Sequence, residues 1–192
     1  ISIKINKSFD AESNSILNFI QKKYKNIILN IGSFTTQKNQ IDLIEAFTKI
    51  EYLQNVCLIL VGKGPQKEDV YKTIINKKIE KNVFLFDFKN NIDPFFSIAT
   101  LYVSTSLWEG FPNILLDAAS HNIPIIAYDC DFGPSEILEN EKYGKLCKIN
   151  DKDKLLKLIE FGLSNKIKII PNKILQSRYS LDQIGQKYEN LI

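Results

Sequence analysis

Residues 55–70 read NVCLILVGKGPQKEDV. The stretch begins with an almost unbroken apolar run, which is typical of a strand covered on both faces of a sheet. Gly62 and Gly64 end the run, and Pro65 suits the first position of a helix that we predict over Gln66–Ile79. The stretch therefore predicts one strand–loop–helix unit of an α/β fold.

The same alternation continues along the chain. Five more stretches have the strand pattern: Asn26–Gly32, Asn82–Phe88, Thr100–Thr105, Ile123–Tyr128 and Gly144–Ile149. Further predicted helices are Asn39–Ile50, Pro94–Ala99, Pro112–Asn122, Pro134–Glu139, Asp151–Ser164 and the tail from Asn172, where Ser180 and Gln183 form a capping box. Strands joined by helices predict an α/β fold: a doubly wound, parallel, six-stranded Rossmann-like sheet with helices on both faces.

Composition indicates one soluble globular domain over residues 1–192, with 44% apolar and 24% charged residues. The net charge of +3 is mild, and the lysines of Asn76–Asn82 alternate with apolar residues. That pattern favours a solvated helix face over a nucleic-acid surface. No apolar run approaches the ~18 residues of a membrane span. The start, ISIKINKS, has no secretory pattern and the chain has no Met, so we expect a piece of a longer protein.

The few cysteine and histidine residues exclude several classes of site. Three cysteines, an odd number with no CxxC, argue against a disulfide framework and a zinc site. A reducing, cytoplasmic compartment is the corresponding expectation. A single histidine, His121, excludes a mechanism that needs two.

In doubly wound sheets, ligands bind outside the carboxyl ends of the strands. There Gly32 ends a strand and Lys38 precedes a helix, which makes an anion site one interpretation and a turn with a solvated lysine the other. The Walker A spacing is absent. Gly62-x-Gly64 lacks the third glycine of a dinucleotide fingerprint, so it indicates only a close approach of the backbone to a ligand or to other backbone.

The stretch SLWEGFPNILLDAA, Ser106–Ala119, contains two carboxylates, Glu109 and Asp117. Pro112 suits the start of a helix, so amides around Asn113 and Ile114 should point toward Glu109 and form an anion pocket. If all eight residues were helical, the two backbones would lie roughly 12 Å apart, and the non-helical start could shorten this distance. The spacing argues against the about 5–5.5 Å carboxyl pair of a retaining hydrolase. The two acids fit one elongated ligand with hydroxyls at both ends and an anionic middle, such as a nucleotide-diphosphate sugar. A solvent-facing polar stripe is the alternative.

Taken in order, five segments resemble the C-terminal, donor-binding domain of family 4 retaining glycosyltransferases, which have the GT-B fold and are also called glycosyl transferases group 1. They are IGSFTTQKNQIDLIEAF, LILVGKGPQ, VFLFDF, LYVSTSLWEGFPNILLDAASHNIPIIAYDCDFGPSEIL and YGKLC, within about Asn26–Cys147. The resemblance implies transfer of a sugar from a nucleotide-sugar, most often a UDP-sugar, in polysaccharide, lipopolysaccharide or glycolipid synthesis. It implies no metal or other cofactor and no nucleic-acid partner.

The resemblance also assigns roles to residues. Glu109 matches the acid that holds hydroxyls of the donor sugar, and Asp117 falls on the ribose-binding acid, where the family has the longer Glu. Lys38 matches the diphosphate lysine, whereas Ser33 replaces an arginine, so one of two expected cations is missing. Catalytic candidates are Glu109 and Lys38. Donor-binding candidates are Gly32, Ser33, Lys38, Gly64, Phe88, Lys89, Glu109, Gly110, Phe111, Pro112, Asn113, Ile114 and Asp117.

The resemblance places the glycan or lipid-linked acceptor on an N-terminal domain that this chain lacks, together with any peripheral contact with the inner face of the cell membrane. The chain is therefore expected to bind donor but hardly to transfer. Two alternatives stay open: a degenerate, non-catalytic nucleotide-sugar-binding subunit, suggested by Ser33 and Asp117, and a nucleotide-sugar epimerase, which shares the two-lobed fold.

Overall fold

The computed structural model describes residues 11–164 and 167–180. Within them, six parallel strands form one sheet in the order β3-β2-β1-β4-β5-β6. The strands are β1 Asn26–Ile31, β2 Val56–Val61, β3 Val83–Phe86, β4 Leu101–Ser104, β5 Ile125–Tyr128 and β6 Lys145–Cys147. Each lies inside its predicted stretch, and the predicted doubly wound parallel sheet is confirmed.

The helices are α1 Ala11–Lys23, α2 Gln40–Phe47, α3 Lys67–Asn76, α4 Asp93–Ile98, α5 Asn113–Ser120, α6 Pro134–Ile137, α7 Lys152–Leu163 and α8 Asn172–Tyr179. Helices α2–α8 correspond to the predicted ones. Most of their ends are shorter, but α4 begins at Asp93, one residue before the predicted Pro94. The capping box predicted at Ser180 and Gln183 lies partly outside the described residues, and Ser180 directly follows the end of α8. No helix of the described part is long and apolar enough to cross a membrane.

Helix α1 was not predicted. It packs on the sheet through Leu17 and Ile20, with Tyr24 buried just after its end. The spacing of three and four residues is that of one helix face. The signal was present in the sequence, but the mostly polar remainder of the helix obscured it.

Each face of the sheet buries its own apolar cluster. In β1, Ile28 faces the cluster under α2, α3 and α7, whereas Ile27 and Leu29 face the cluster under α1, α4 and α5. Because successive side chains of a strand point to opposite faces, a strand with helices on both sides must be apolar throughout. This two-sided burial explains the unbroken apolar runs of the sequence.

The sheet opens where β1 and β4 meet. Strand β1 pairs with β2 at six positions but with β4 only at Ile28↔Leu101 and Leu29↔Tyr102. Beyond these, side chains take over: Asn30 Nδ2 donates to the Val103 carbonyl at 2.8 Å, and the Tyr102 hydroxyl donates to the Ile31 carbonyl at 3.1 Å. The strand order reverses at this point, so the parting of β1 and β4 marks the crevice where doubly wound folds bind ligands.

Candidate functional site

A cleft of about 460 Å³ opens at the carboxyl edge of the sheet. Its size is within the range of small-molecule sites. Ten of the predicted residues line it: Gly32, Ser33, Lys38, Phe88, Lys89, Glu109, Phe111, Pro112, Asn113 and Ile114.

The lining falls into two walls, one from each half of the sheet. The loops after β1, β2 and β3 form what we call the cationic wall, made of Gly32–Lys38, Gly62–Lys63 and Phe88–Ile92. The segment after β4, Glu109–Ile114, forms the carboxylate wall. Of the described residues that line the cleft, three are lysines and one is acidic, so the cleft favours an anionic ligand.

The cationic wall is held together backbone to backbone. The Gly32 amide donates to the Val61 carbonyl at 3.0 Å, and the Phe34 amide donates to the Lys63 carbonyl at 2.9 Å. A Cβ atom on Gly62 would lie 1.9 Å from the Gly32 carbonyl oxygen. Glycine is therefore required at residue 62 for the two loops to approach this closely.

Gly64 packs in the same way. A Cβ atom there would lie 2.3 Å from the Phe34 carbonyl oxygen, and Gly64 does not line the cleft. Of the two interpretations of the Gly62-x-Gly64 pattern, the structure shows the approach of backbone to backbone. Gly64 was a predicted donor-binding residue, and in the structure it packs against the Phe34 backbone outside the cleft lining.

Lys38 is fixed by the chain on both sides of it. The Thr105 hydroxyl lies 3.1 Å from the Lys38 carbonyl and 2.9 Å from the Asn39 carbonyl, both of which accept its hydrogen. Asn39 is left-handed, with φ of 44°, and turns the chain into α2. At the start of α2, Gln40 Nε2 donates to the Ser33 carbonyl at 3.1 Å. The loop that carries Ser33 and Lys38 is thus tied to β4 and to its own helix.

Lys38 and Glu109 join the two walls. The Lys38 ammonium lies 2.5 Å from Glu109 Oε1, and the Glu109 side chain is only 7% exposed. The prediction assigned these residues to different parts of a ligand and did not anticipate that they bind each other. The ion pair offsets the burial of the Glu109 carboxylate.

The carboxylate wall ends in helix α5. The Asn113 amide donates to the Phe111 carbonyl at 3.0 Å, and the Leu115 amide donates to the Pro112 carbonyl at 2.9 Å. We expected the Asn113 amide to point into an anion pocket. This expectation is wrong, because the amide already donates to the Phe111 carbonyl in a tight turn. The helix start still directs its positive end at the cleft, since Asn113 and Ile114 line it.

Two candidates of this segment do not line the cleft. Gly110 stands between lining residues, with no atom within 4 Å of where its Cβ would lie. Asp117 lies one helical turn beyond Asn113 on the exposed side of α5. Partial desolvation raises the pKa of the Asp117 carboxyl, His121 opposes the rise, and Asp93 adds to it. Asp117 thus belongs to a group with His121 and Asp93, beyond the carboxylate wall.

The lysines of the cationic wall differ in their surroundings. Lys89 is 4% exposed, and its ammonium lies 3.3 Å from the Ser13 hydroxyl of α1. Lys63 is exposed and lies over the Phe88 ring, 4.9 Å from the ring centroid. Sequence reasoning missed Lys63 as a residue that lines the cleft, and it missed the contact of Ser13 with Lys89. The signal for Lys63 was available, because it follows the end of β2 as Ser33 follows the end of β1.

The described residues hold no candidate metal site, and the thiol nearest the cleft residues stays protonated. Across residues 11–164 and 167–180, no three His, Cys, Asp or Glu side chains come together as a candidate metal site. Cys130 is buried, and burial, followed by the charge of Glu109, raises its pKa to about 11. A thiol that stays protonated is a poor nucleophile.

Comparison with known proteins gives a consistent family. The sequence model of the family described as Glycosyl transferases group 1 matches residues 14–180. An uncharacterized glycosyltransferase of Methanocaldococcus jannaschii is 33% identical over 191 residues, covering 84% of this chain and 47% of that protein. The poly(ribitol-phosphate) alpha-N-acetylglucosaminyltransferase of Staphylococcus aureus is 33% identical over 143 residues, covering 69% of this chain and 28% of that protein.

A solved structure is similar in fold. The crystal structure of HepE of Anabaena in complex with UDP superimposes with a TM-score of 0.81, at 19% identity, over 97% of this chain and 56% of that one. At this identity the likeness concerns the fold alone. The chain spans about half the length, or less, of the curated relatives named above.

Proposed function

This chain belongs to the glycosyl transferases group 1 family, and from that premise we propose that it is the donor-binding domain of a retaining glycosyltransferase. The donor is a nucleotide-sugar, with UDP-sugars as the first class to test. The observation that carries the proposal is the Lys38–Glu109 pair, which spans a cationic cleft at the point where the strand order reverses.

The two walls suit the parts of such a donor. The diphosphate lies between the lysines of the cationic wall and the start of α5, where positive charge comes from both sides. When a phosphate takes the Lys38 ammonium, the Glu109 carboxylate becomes available to accept hydrogen bonds from hydroxyls of the donor sugar. Each partner of the ion pair is thus exchanged for a part of the ligand.

Lys38 then has a catalytic role. As the bond between the sugar and the diphosphate breaks, its electron pair stays on the diphosphate, which gains negative charge. A lysine already placed at that oxygen stabilises the charge in the transition state more than in the ground state. We propose that lysines and the helix end carry this charge and that no metal cofactor is needed.

The nucleoside end is assigned to the neighbouring loops. The half-exposed Phe88 ring and the loop up to Ile92 line the cleft beside β3 and receive the base. Asp117 reaches the ribose from the carboxylate side. Its exposed position and short side chain predict a weaker grip than that of Glu109.

The acceptor and the cell compartment are proposals for the whole protein. Because the chain spans about half of its Methanocaldococcus relative, we assign the glycan or lipid-linked acceptor to a part of the protein outside this chain. The relative from Staphylococcus is named for a poly(ribitol-phosphate) acceptor. The three cysteines are buried and form no disulfide, which supports the cytoplasm as the site of reaction.

Titration calorimetry of the 192-residue chain with UDP, GDP and their common sugar derivatives tests the proposal. We expect saturable one-to-one binding of at least one of them and a loss of about 10-fold or more in Lys38→Met. Glu109→Gln should reduce the preference for the nucleotide-sugar over the nucleotide. If none of these ligands binds the wild-type chain, the proposed function is wrong.

A further inference from the structure

We propose that Lys63 is the second cation for the donor's diphosphate and takes the role that the Ser33 position cannot fill. The inference rests on the proposed function. It concerns a residue that the resemblance did not assign, on a loop that the sequence indicated only as a close approach of the backbone.

The strand register places Lys63 beside Ser33. Strands β1 and β2 are paired at Ile31↔Val61. The hydrogen bonds from the Gly32 amide to Val61 and from the Phe34 amide to Lys63 continue this ladder past the strand ends. Two further steps in the same register bring residue 33 next to residue 63. A cation is therefore present one strand away from the serine.

The Lys63 side chain is held on the cleft side. Lys63, Ser33 and Phe88 all line the cleft. The ammonium lies 4.9 Å from the centroid of the Phe88 ring, which is 52% exposed. The face of an aromatic ring attracts a cation weakly, and a phosphate attracts it more strongly. The ring keeps the lysine near the site while leaving it able to move to a phosphate.

The other two lysines of the cleft have different surroundings. Lys38 shares its charge with Glu109 at 2.5 Å, and Lys89 is buried with its ammonium beside the Ser13 hydroxyl. A diphosphate carries at least two negative charges, so Lys38 alone leaves one of them without a matching cation. Lys63 is exposed and its ammonium lies over an aromatic ring instead of a carboxylate, which makes it the lysine best able to supply the missing charge.

The experiment compares a nucleotide with its own nucleoside. Binding of UDP and of uridine is measured by calorimetry for the wild-type chain, Lys63→Gln and Lys72→Gln, with GDP and guanosine as a second pair. Lys72 is an exposed lysine paired with Glu68 on α3, and it does not line the cleft. Lys72→Gln is the matched control, because it removes the same charge at a position away from the cleft. We expect Lys63→Gln to weaken nucleotide binding about 10-fold and to leave nucleoside binding unchanged. Lys72→Gln should stay within about twofold of wild type.

A rescue variant separates charge from structure. Ser33→Arg added to Lys63→Gln should recover most of the lost nucleotide affinity, because it restores a cation at the neighbouring register position. Lys63→Arg keeps the charge and should bind the nucleotide within about threefold of wild type. Lys63→Met, which retains the apolar stem, repeats the loss if Lys63→Gln should not fold.

The outcomes distinguish the two proposals. If the wild-type chain binds UDP or GDP and Lys63→Gln and Lys63→Met bind it equally well, this inference is overturned and the proposed function stands. Equal losses for the nucleotide and the nucleoside overturn it as well, since Lys63 then acts on the base pocket and not on phosphate. If the wild-type chain binds no nucleoside diphosphate, both proposals fall.

Discussion

The cationic and carboxylate walls of the cleft are built differently. The first continues the β1–β2 ladder past the strand ends and leaves no room for a Cβ atom at Gly62. The second is a loop with open space at Gly110 and an exposed Trp108, ended by a helix. Charge for an anionic group thus lies on a rigid extension of the sheet, while the carboxylate lies on a more open segment. Under the proposed function, the loops anchored to the β1–β2 ladder carry the lysines for the diphosphate, and the more open segment contacts the donor sugar.

The largest expected effect compares one glycine from each wall. Gly62→Ala should destabilise the fold by more than about 3 kcal/mol, because its Cβ would overlap the Gly32 carbonyl oxygen. Gly110→Ala should change the free energy of unfolding by less than about 0.5 kcal/mol, since its Cβ points into open space. Urea denaturation followed by circular dichroism measures both. Equal effects would contradict the contrast between a rigid and an open wall.

The next effect concerns the ion pair that joins the walls. Lys38→Met leaves the buried Glu109 carboxylate without its cation and should cost about 2 kcal/mol of stability, less than the ~3–5 kcal/mol of a fully buried pair because Lys38 is partly exposed. Glu109→Gln added to Lys38→Met should restore most of that loss. A double-mutant cycle in urea measures the coupling. A coupling energy near zero would show that the pair does not bind in solution.

The free energy of unfolding should depend on pH through two buried thiols, Cys130 and Cys147, in the half of the sheet that carries the carboxylate wall. Burial raises the pKa of Cys130 and of Cys147 to about 11, above the ordinary value of 9.0 for an accessible thiol. Because the folded pKa is the higher one, the unfolded chain releases these protons first. The stabilising contribution is complete below pH 9 and is lost as the pH rises from about 9 to 11. Each thiol contributes a slope of up to ~1.4 kcal/mol per pH unit.

Urea denaturation at several pH values measures this slope, and Cys130→Ala or Cys147→Ala should each remove one thiol's share. The two thiols differ in one respect, since only the pKa of Cys130 is raised further by Glu109. Glu109→Gln should therefore narrow the pH window of Cys130 and leave that of Cys147 unchanged. A slope that neither alanine variant alters would contradict the assignment.

The smallest expected effect is on nucleotide binding at Asp117, beyond the carboxylate wall. Asp117→Glu adds one methylene, about 1.5 Å of reach, and should strengthen nucleotide binding two- to fivefold, about the value of one weak hydrogen bond. Asp117→Asn is the matched control, because it keeps the length and removes the charge. Calorimetry with UDP measures both variants. Unchanged affinity in Asp117→Glu would show that residue 117 does not hold the ribose.

The fold was predictable because burial on both faces of the sheet leaves a simple pattern. Strands such as β2 are continuously apolar. The helices between the strands are the crossover connections that parallel strands need, so the pattern predicts a parallel sheet. Helix α1 was missed because its buried residues are few and its remaining surface is polar. The parting of β1 and β4 depends on Asn30 and Tyr102, whose hydrogen bonds become visible only in three dimensions.

The sequence predicted which residues line the cleft better than it predicted the contacts between them. The loops at the carboxyl edge bring ten of the predicted residues together, as the general rule for doubly wound sheets requires. The Lys38–Glu109 pair joins residues 71 positions apart, and neither spacing nor composition encodes that contact. The turn that uses the Asn113 amide and the packing of Gly64 depend on local backbone geometry in the same way. Lys63 was within reach of sequence reasoning, through the equal register of β1 and β2.

A crystal structure of the chain with a bound UDP-sugar would show whether the Lys38–Glu109 pair opens to hold the donor. We expect the diphosphate between the lysines of the cationic wall and the start of α5. Lys38 should have turned from Glu109 to a phosphate, and Glu109 should accept hydrogen bonds from sugar hydroxyls. A nucleotide bound outside the cleft would contradict the proposed donor site. So would a nucleotide in the cleft that leaves the Lys38–Glu109 pair intact and its diphosphate away from Lys38 and Lys63.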